Sequence, residues 1–285
     1  MTGGRRRDVL TGRDTAVVGD RQHRPNLPDT GCPFCPGGQE APEPYEVRWF
    51  VNRWPPMPDN RCEVVLYAPD HDASMSSIGV PGAMRVVDLW AARTAALGNR
   101  PDVAYVLVFE NRGAEVGATI AHPHGQIYAF DHVPGAPAAE LQIEPCTLCV
   151  AVEEPQLVAR HGGWRTWVPV AAAWPYELRL ASDDHVPDLT DPDARRADLA
   201  AALVDGLARL DQRFDTPMPY MLWVHQRPFD GRPWPGAHLH VHVAPLWRAA
   251  STPRFVAAGE LGGGLYFNPV DPTEAAAELR RLPGA

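Results

Sequence analysis

The chain has 285 residues, 45% hydrophobic and 21% charged, the make-up of one large globular domain or two of ordinary size. Net charge is -9 and no basic run follows Arg5-Arg6-Arg7, which argues against nucleic acid as the main partner; a bound phosphate needs a local cluster instead of a broad field. No stretch has the apolar length to cross a bilayer and the N-terminus has no signal-type apolar core, so no membrane partner and a cytoplasmic location are expected.

In chain order, Arg21 and Arg24 come first, in Arg21-Gln22-His23-Arg24-Pro25-Asn26, where two guanidinium groups could clamp a diphosphate bidentately. Cys32-Pro33-Phe34-Cys35 is a CxxC pair. Strands are expected around Trp54-Pro55, and the strand-like run Cys62–Tyr67 makes Cys62 a small core residue. A helix over roughly Gly82–Leu97 leads to the apolar strand Ala104–Phe109, with Asn111 at its end. Then comes His122-Pro123-His124-Gly125-Gln126-Ile127-Tyr128. On an extended strand residues two apart share a face, so His122, His124 and Gln126 are expected to project together. A proline-rich join, Val133-Pro134-Gly135-Ala136-Pro137 on to Pro145, precedes a second CxxC, Cys146-Thr147-Leu148-Cys149. Strands around Trp174-Pro175 follow. The helix over roughly Asp191–Leu210 carries Leu199, Leu203, Leu207 and Leu210 as a buried stripe. The strand Tyr220–Val224 leads to His238-Leu239-His240-Val241-His242, and Gly262-Gly263-Gly264 reads as a loop.

The landmarks repeat in register. His71 lies 39 residues after Cys32 and His185 lies 39 after Cys146; His122 lies 90 after Cys32 and His238 lies 92 after Cys146. Each half runs CxxC, Trp-Pro, helix, apolar strand, HxH. This predicts a duplication, residues 1–140 and 141–285, whose strands pair into one antiparallel sheet with helices packed on it, an α+β fold.

A CxxC turn holds two thiolates on one side of a tight loop, and two histidines complete a zinc tetrahedron. Cys32, Cys35, His71 and His122 form the firmer set, structural because four protein ligands leave no open position. For a second zinc the sequence offers Cys146, Cys149, His185 and His238, or the rival set Glu140, His225, His240 and His242. A redox CxxC and histidines that merely pack are the plainer alternatives. With His122 withdrawn by metal, His124 is the candidate nucleophile. An imidazole nitrogen attacks phosphorus and later leaves as a neutral group, splitting one hard transfer into two. Gly125 is expected to admit a ligand close to the backbone, and Gln126 to hold a phosphate oxygen without acting as an acid.

These residues resemble the galactose-1-phosphate uridylyltransferase family, a branch of the histidine-triad superfamily. The resemblance rests on Arg21-Gln22-His23-Arg24-Pro25, Cys32-Pro33-Phe34-Cys35, Ala68-Pro69-Asp70-His71, Phe109-Glu110-Asn111-Arg112-Gly113, His122-Pro123-His124-Gly125-Gln126, Ala173-Trp174-Pro175-Tyr176-Glu177, and His238-Leu239-His240-Val241-His242 with Arg254-Phe255. It implies two tandem histidine-triad-like halves and a ping-pong reaction. His124 takes UMP from UDP-glucose and hands it to galactose 1-phosphate, with Gln126 holding the phosphoryl oxygens; hydrolytic relatives carry a third histidine there. It further implies substrate contacts at Arg21, Arg24, Asn52, Asn111, Gly117, Thr119, Gln126, Arg254, Phe255 and Glu260, and a homodimer in which the region around Arg254, Phe255 and Glu260 reaches the partner's site. Two CxxC-plus-His sets also resemble an adenylyl-transferring branch, the ADP-glucose phosphorylases. Transfer from an ADP-sugar therefore stands as the alternative, and a zinc-stapled nucleotide-binding protein without turnover as the reading from another class.

Overall fold

The computed structural model describes residues 4–18, 31–150, 152 and 154–284. Arg21 and Arg24 lie outside the described residues. In chain order the strands and helices are β1 (Arg5–Arg7), β2 (Asp14–Ala16), β3 (Arg48–Val51), β4 (Cys62–Leu66), α1 (Gly79–Gly98), β5 (Tyr105–Arg112), β6 (His124–Phe130), α2 (Gly135–Glu140), β7 (Leu157–His161), β8 (Trp164–Trp167), β9 (Leu178–Ser182), α3 (Arg196–Gln212), β10 (Tyr220–His225), β11 (His240–Pro245), β12 (Trp247–Ala249), β13 (Thr252–Pro253), α4 (Ala258–Gly263) and α5 (Pro272–Arg281).

Nine strands form one sheet in the order β3-β4-β6-β5-β10-β11-β9-β8-β7, and its ladders are antiparallel. Strands on the two sides of the β5–β10 ladder match in order, with β7 an extra strand at one edge. β6 answers β11, β4 answers β9 and β3 answers β8. The ladder Phe109↔Trp223 and Val108↔Val224 carries the sheet from one half to the other without a break. The α+β expectation holds.

Helices α1 and α3 pack on one face, against each other, α1 on β5 and β6 and α3 on β7, β8 and β9. Both fold as they do because apolar residues recur at helical spacing: Ala83, Val86, Val87, Trp90, Ala91 and Leu97 in α1, and Leu199, Leu203, Leu207 and Leu210 in α3, are buried. A turn of 3-10 helix over Pro192–Ala194 precedes α3, so the regular helix starts five residues later than its sequence pattern suggests. In α5 the Asp271 carboxylate accepts from the backbone N–H of Thr273 and Glu274, and Pro272 fills the first turn, where its missing N–H costs nothing.

Strand alternation sorts side chains between the faces. On β6, Gly125, Ile127 and Ala129 are buried against the helices, whereas His124, Gln126, Tyr128 and Phe130 are half-buried on the opposite face. That second face carries the chemistry. The proline-rich join is not simply a connector: residues 135–140 form α2, which ends on Glu140. The glycine run closes α4, with Gly264 in the left-handed conformation (φ +66°) that ends the helix. Cys62 is a fully buried β4 residue, as expected.

Candidate active site and metal centres

Three clusters bring metal-ligating atoms within 4.8 Å of one another: Cys32, Cys35, His71 and His122; Cys146, Cys149, His185 and His238; Glu140, His225, His240 and His242. The two sets that the sequence offered as rivals for a second metal are therefore separate clusters, because His238 precedes β11 while His240 and His242 stand on it.

The first cluster has the spacing of a zinc tetrahedron. Cys35 Sγ lies 3.6 Å from Nδ1 of His71 and 3.6 Å from Nδ1 of His122. Ligand lengths of 2.3 Å for sulfur and 2.0 Å for nitrogen at tetrahedral angles put S and N about 3.5 Å apart. The other nitrogen of His122, Nε2, lies 2.8 Å from the Ala68 carbonyl. A carbonyl only accepts, so Nε2 carries the proton and the Nδ1 lone pair faces the thiols. Tyr45 Oη, 2.8 Å from Nε2 and donating to Phe34 O at 2.7 Å, braces the ring. Burial lowers the His122 pKa and keeps the ring in its neutral, ligating form.

The second cluster repeats the device. His238 Nε2 donates to Ser182 O at 3.0 Å, and its Nδ1 faces Cys146 Sγ at 3.5 Å and Cys149 Sγ at 3.7 Å. Cys149 Sγ lies 3.1 Å from His185 Nδ1. Burial pulls the His238 pKa down to about 4. Both clusters fit zinc on donor type and spacing.

The third cluster is built around Glu140. Its Oε2 lies 2.6 Å from His225 Nδ1 and 3.2 Å from His240 Nε2, and its Oε1 lies 3.6 Å from His242 Nε2. His242 Nε2 is buried with no hydrogen-bond partner, and burial with two neighbouring histidines pulls its pKa to about 2. His240 donates through Nδ1 to His238 O at 2.6 Å, so a neutral His240 turns a lone pair on a carboxylate oxygen. A buried lone pair facing a carboxylate, beside an orphaned imidazole nitrogen, is the donor set a cation satisfies.

His124 opens β6. Its Nδ1 lies 2.8 Å from His122 O, and by the same donor rule Nδ1 carries the proton and Nε2 the lone pair. The expectation that His122, His124 and Gln126 share one strand face holds for His124 and Gln126 only, since His122 precedes the strand and is drawn into the first Cys2His2 cluster. Phe34, between the two cysteines, packs edge-on to His124 at 5.2 Å and to His122 at 6.1 Å. The CxxC loop thus touches the candidate nucleophile as well as its neighbour.

A cleft beside His124 is lined by Ser74, Asn111, Gly113, Ala118 and Ile120. Asn111 therefore reaches the site, and the loop holding Gly117 and Thr119 runs along it. Asn52 meets Gln126, Nδ2 to Oε1 at 3.2 Å. Arg254, Phe255 and Glu260 belong to the second half. Arg254 is ion-paired with Glu260, both buried, and lies over the Trp174 ring at 4.7 Å, while Phe255 is 78% exposed. The cleft's lining comes entirely from the first half.

Gly125 has a different job from the one expected. A Cβ at this position would point to the helix face, overlap the Tyr67 hydroxyl and press within 3.0 Å of Phe109 O. The glycine makes room for a buried tyrosine, not for a ligand. Behind it Glu110 accepts from Tyr220 Oη at 2.9 Å, and burial pushes the Glu110 pKa up to about 7. Sequence reasoning missed Tyr67 and Glu110, which reach this spot only through sheet pairing.

Fold and site together define a class: an antiparallel α+β sheet that presents His124 beside a Cys2His2 cluster. Models of the N-terminal and C-terminal domains of galactose-1-phosphate uridyl transferase match residues 57–134 and 120–282. The chain is 33% identical to the galactose-1-phosphate uridylyltransferase of Thermotoga maritima, over 96% of this chain and 97% of that protein. It is 34% identical to that of Streptomyces lividans, over 97% and 86%. A solved uridylyltransferase superposes with a TM-score of 0.89 at 32% identity, covering 97% of both chains. An ADP-glucose phosphorylase from Arabidopsis thaliana shares the fold, with a TM-score of 0.79 at 24% identity over 98% of this chain and 99% of that one. The chain belongs to the galactose-1-phosphate uridylyltransferase family.

Proposed function

We propose that the protein moves UMP from UDP-glucose to galactose 1-phosphate in two steps through a covalent uridylyl group on His124. In the first step Nε2 of His124 attacks the α-phosphorus, an N–P bond forms, the bond to the bridging oxygen breaks, and glucose 1-phosphate leaves. In the second, a phosphate oxygen of galactose 1-phosphate attacks the same phosphorus, the N–P bond breaks, and UDP-galactose leaves a neutral His124 behind. The observation that carries this reading is the fixed tautomer of His124. Donation from Nδ1 to His122 O aims a lone pair, not a proton, out of Nε2.

The remaining roles follow the same reading. Zinc in the two cysteine clusters staples the chain that leads into β6 and β11, and supplies folding free energy, not chemistry. The halves 1–140 and 141–285 descend from a duplication, one keeping the catalytic strand and the other a metal-binding copy. Arg21, Arg24, Asn111, Gly117 and Thr119 contact the donor. Arg254, Phe255 and Glu260 serve the sugar side of a partner's site in a homodimer. Supporting this is a run of exposed apolar side chains at Phe255, Leu261, Leu265, Tyr266 and Phe267. The protein works in the cytoplasm.

The test is a panel of NDP-sugars, reading the mass added to the peptide that holds His124. UDP-glucose is expected to leave a uridylyl group that survives alkali but not acid. An adenylyl group from ADP-glucose alone would keep His124 as carrier and move the protein to the alternative donor, which the complete second Cys2His2 cluster favours. No adduct from any donor would refute the reading.

A further inference from the structure

Gln126 can assist phosphoryl transfer only if the right end of its amide faces the phosphate. The NH2 end donates to a phosphoryl oxygen; the carbonyl end repels it. Nothing in an isolated glutamine chooses between the two, because the ends are nearly equal in size.

The choice is made from outside. The backbone N–H of Trp54 lies 2.9 Å from Asn52 Oδ1. A backbone N–H only donates, so this atom of Asn52 is the carbonyl oxygen and the other end of its amide is NH2. That NH2 lies 3.2 Å from Gln126. Being a donor, it requires an acceptor, which makes the facing atom Oε1. The Tyr128 hydroxyl, 3.3 Å from the same Oε1, gives a second donor. Asn52 itself is buried, 9% exposed, and its backbone is anchored by its N–H to Cys62 O at 2.8 Å, so the Trp54 N–H decides which way its amide faces. Tyr128 packs edge-on to Phe109 at 4.7 Å, and Phe109 is the ladder partner of Gln126. A main-chain donor at Trp54 thus fixes Asn52, Asn52 and Tyr128 fix Gln126, and among the described residues the Gln126 NH2 is left for the substrate.

We propose that Asn52 and Tyr128 are positioning residues that set the polarity of the Gln126 amide, so that it donates to the phosphoryl group being transferred to His124. This rests on the reading of His124 as the carrier of the nucleotidyl group. It gives Asn52 a role beyond substrate contact and Tyr128 a role that the sequence did not show.

The experiment is a double-mutant cycle on the single-turnover rate of His124 adduct formation from UDP-glucose. Asn52→Ala and Tyr128→Phe are each made in the natural chain and in Gln126→Ala. In the natural background Asn52→Ala is expected to slow adduct formation about tenfold to a hundredfold, somewhat below the loss of a whole preorganised donor. Tyr128→Phe, which keeps the ring packing, is expected to cost less. In the Gln126→Ala background both should cost under about twofold, since there is no amide left to orient. The affinity for UDP-glucose should change little in Tyr128→Phe, which touches the substrate only through Gln126.

The same fold-loss in both backgrounds overturns the proposal, and so does an Asn52→Ala variant that weakens UDP-glucose binding while the adduct rate at saturation is unchanged. If Asn52→Ala fails to fold, Tyr128→Phe alone closes a cycle with Gln126→Ala and decides the matter. A natural chain that forms no adduct overturns the His124 reading and this role with it. An additive cycle in an active enzyme overturns only the role of Asn52 and Tyr128.

Discussion

The strand entries at His122–Gln126 and His238–His242 are built on the same backbone plan and end in different chemistry. In each, the first histidine gives its Nε2 proton to a carbonyl, Ala68 O or Ser182 O, and turns Nδ1 to a cysteine pair. In each, the second histidine donates from Nδ1 to the carbonyl of the first, at 2.8 Å for His124 and 2.6 Å for His240. The imidazoles at 124 and 240 are therefore the same tautomer in the same local frame. They differ in what stands over Nε2. His240 meets the Glu140 carboxylate at the end of α2 and the rings of His225 and His242, while His124 lines a cleft with Asn111. The third position matches its surroundings, a neutral amide at Gln126 and a third imidazole beside Glu140 at His242. One local device can serve as nucleophile or as ligand, and an element from elsewhere in the chain decides which.

The strongest way to break that comparison is to exchange the histidines' fates. His124→Gly should cut transfer from UDP-glucose on the order of 10⁴-fold or more, the scale of losing a nucleophile, with the fold and zinc content intact. His240→Gly should leave the label on His124. Mass mapping of the adduct checks both, and a label at His240 would reverse the assignment.

Next in size are the clusters that hold the two strand entries. Cys32→Ser and Cys146→Ser should each remove one equivalent of zinc and destabilise the fold by several kcal/mol, lowering Tm on the order of 10 °C. Glu140→Gln should release the third cluster's metal without touching zinc. Metal analysis alongside thermal melts tests this. A chain that purifies without zinc and oxidises Cys32 and Cys35 to a disulfide would contradict it.

A smaller effect sharpens the contrast between Gly125 and its counterpart Val241. Gly125→Ala forces a methyl against the Tyr67 hydroxyl and should cost about 1–3 kcal/mol, the usual range for overpacking. Tyr67→Phe removes the blocking oxygen and should recover part of that loss in the double variant. Denaturant unfolding of the four chains gives the answer.

The smallest effect is a pH dependence behind the catalytic strand. Burial raises the Glu110 pKa from 4.5 to about 7, so the folded chain binds the proton more tightly than the unfolded one. The associated stability is fully present below about pH 4.5 and is lost as pH rises through about 7. Relative to Glu110→Gln, the natural chain should therefore lose stability between these limits. Equal slopes in unfolding free energy against pH would show that Glu110 is not held protonated.

Much of this was legible from residues alone where the chemistry is local. A CxxC pair encodes its own proximity, and the matched 39-residue spacings to His71 and His185 picked out histidines that join both cysteine clusters. The leucine stripe of α3 is a local period. Less legible was whatever depends on pairing between distant strands. Gly125 looked like a ligand approach because its neighbours in sequence are catalytic; its neighbour in space is Tyr67 of the adjacent chain segment. Glu140 sits in a proline-rich stretch that reads as a connector, and nothing local shows that it forms α2 and meets three histidines from β10 and β11. Asn52 was found through resemblance, but its bond to Gln126 spans 74 residues and exists only because β3, β4 and β6 are neighbours.

The sequence by itself determined the α+β class and which cysteines and histidines gather into the two Cys2His2 clusters, because ligand chemistry and periodicity are written in spacings along the chain. The tertiary structure decided which imidazole nitrogen carries the proton, which of two matched histidines is covered by a carboxylate, and which end of the Gln126 amide faces out. The carboxylate over His240 and the Asn52 amide on Gln126 are brought in from elsewhere in the chain, and even the two-residue bonds at His124 and His240 need the folded backbone, because a hydrogen bond acquires direction only when both of its partners are in place.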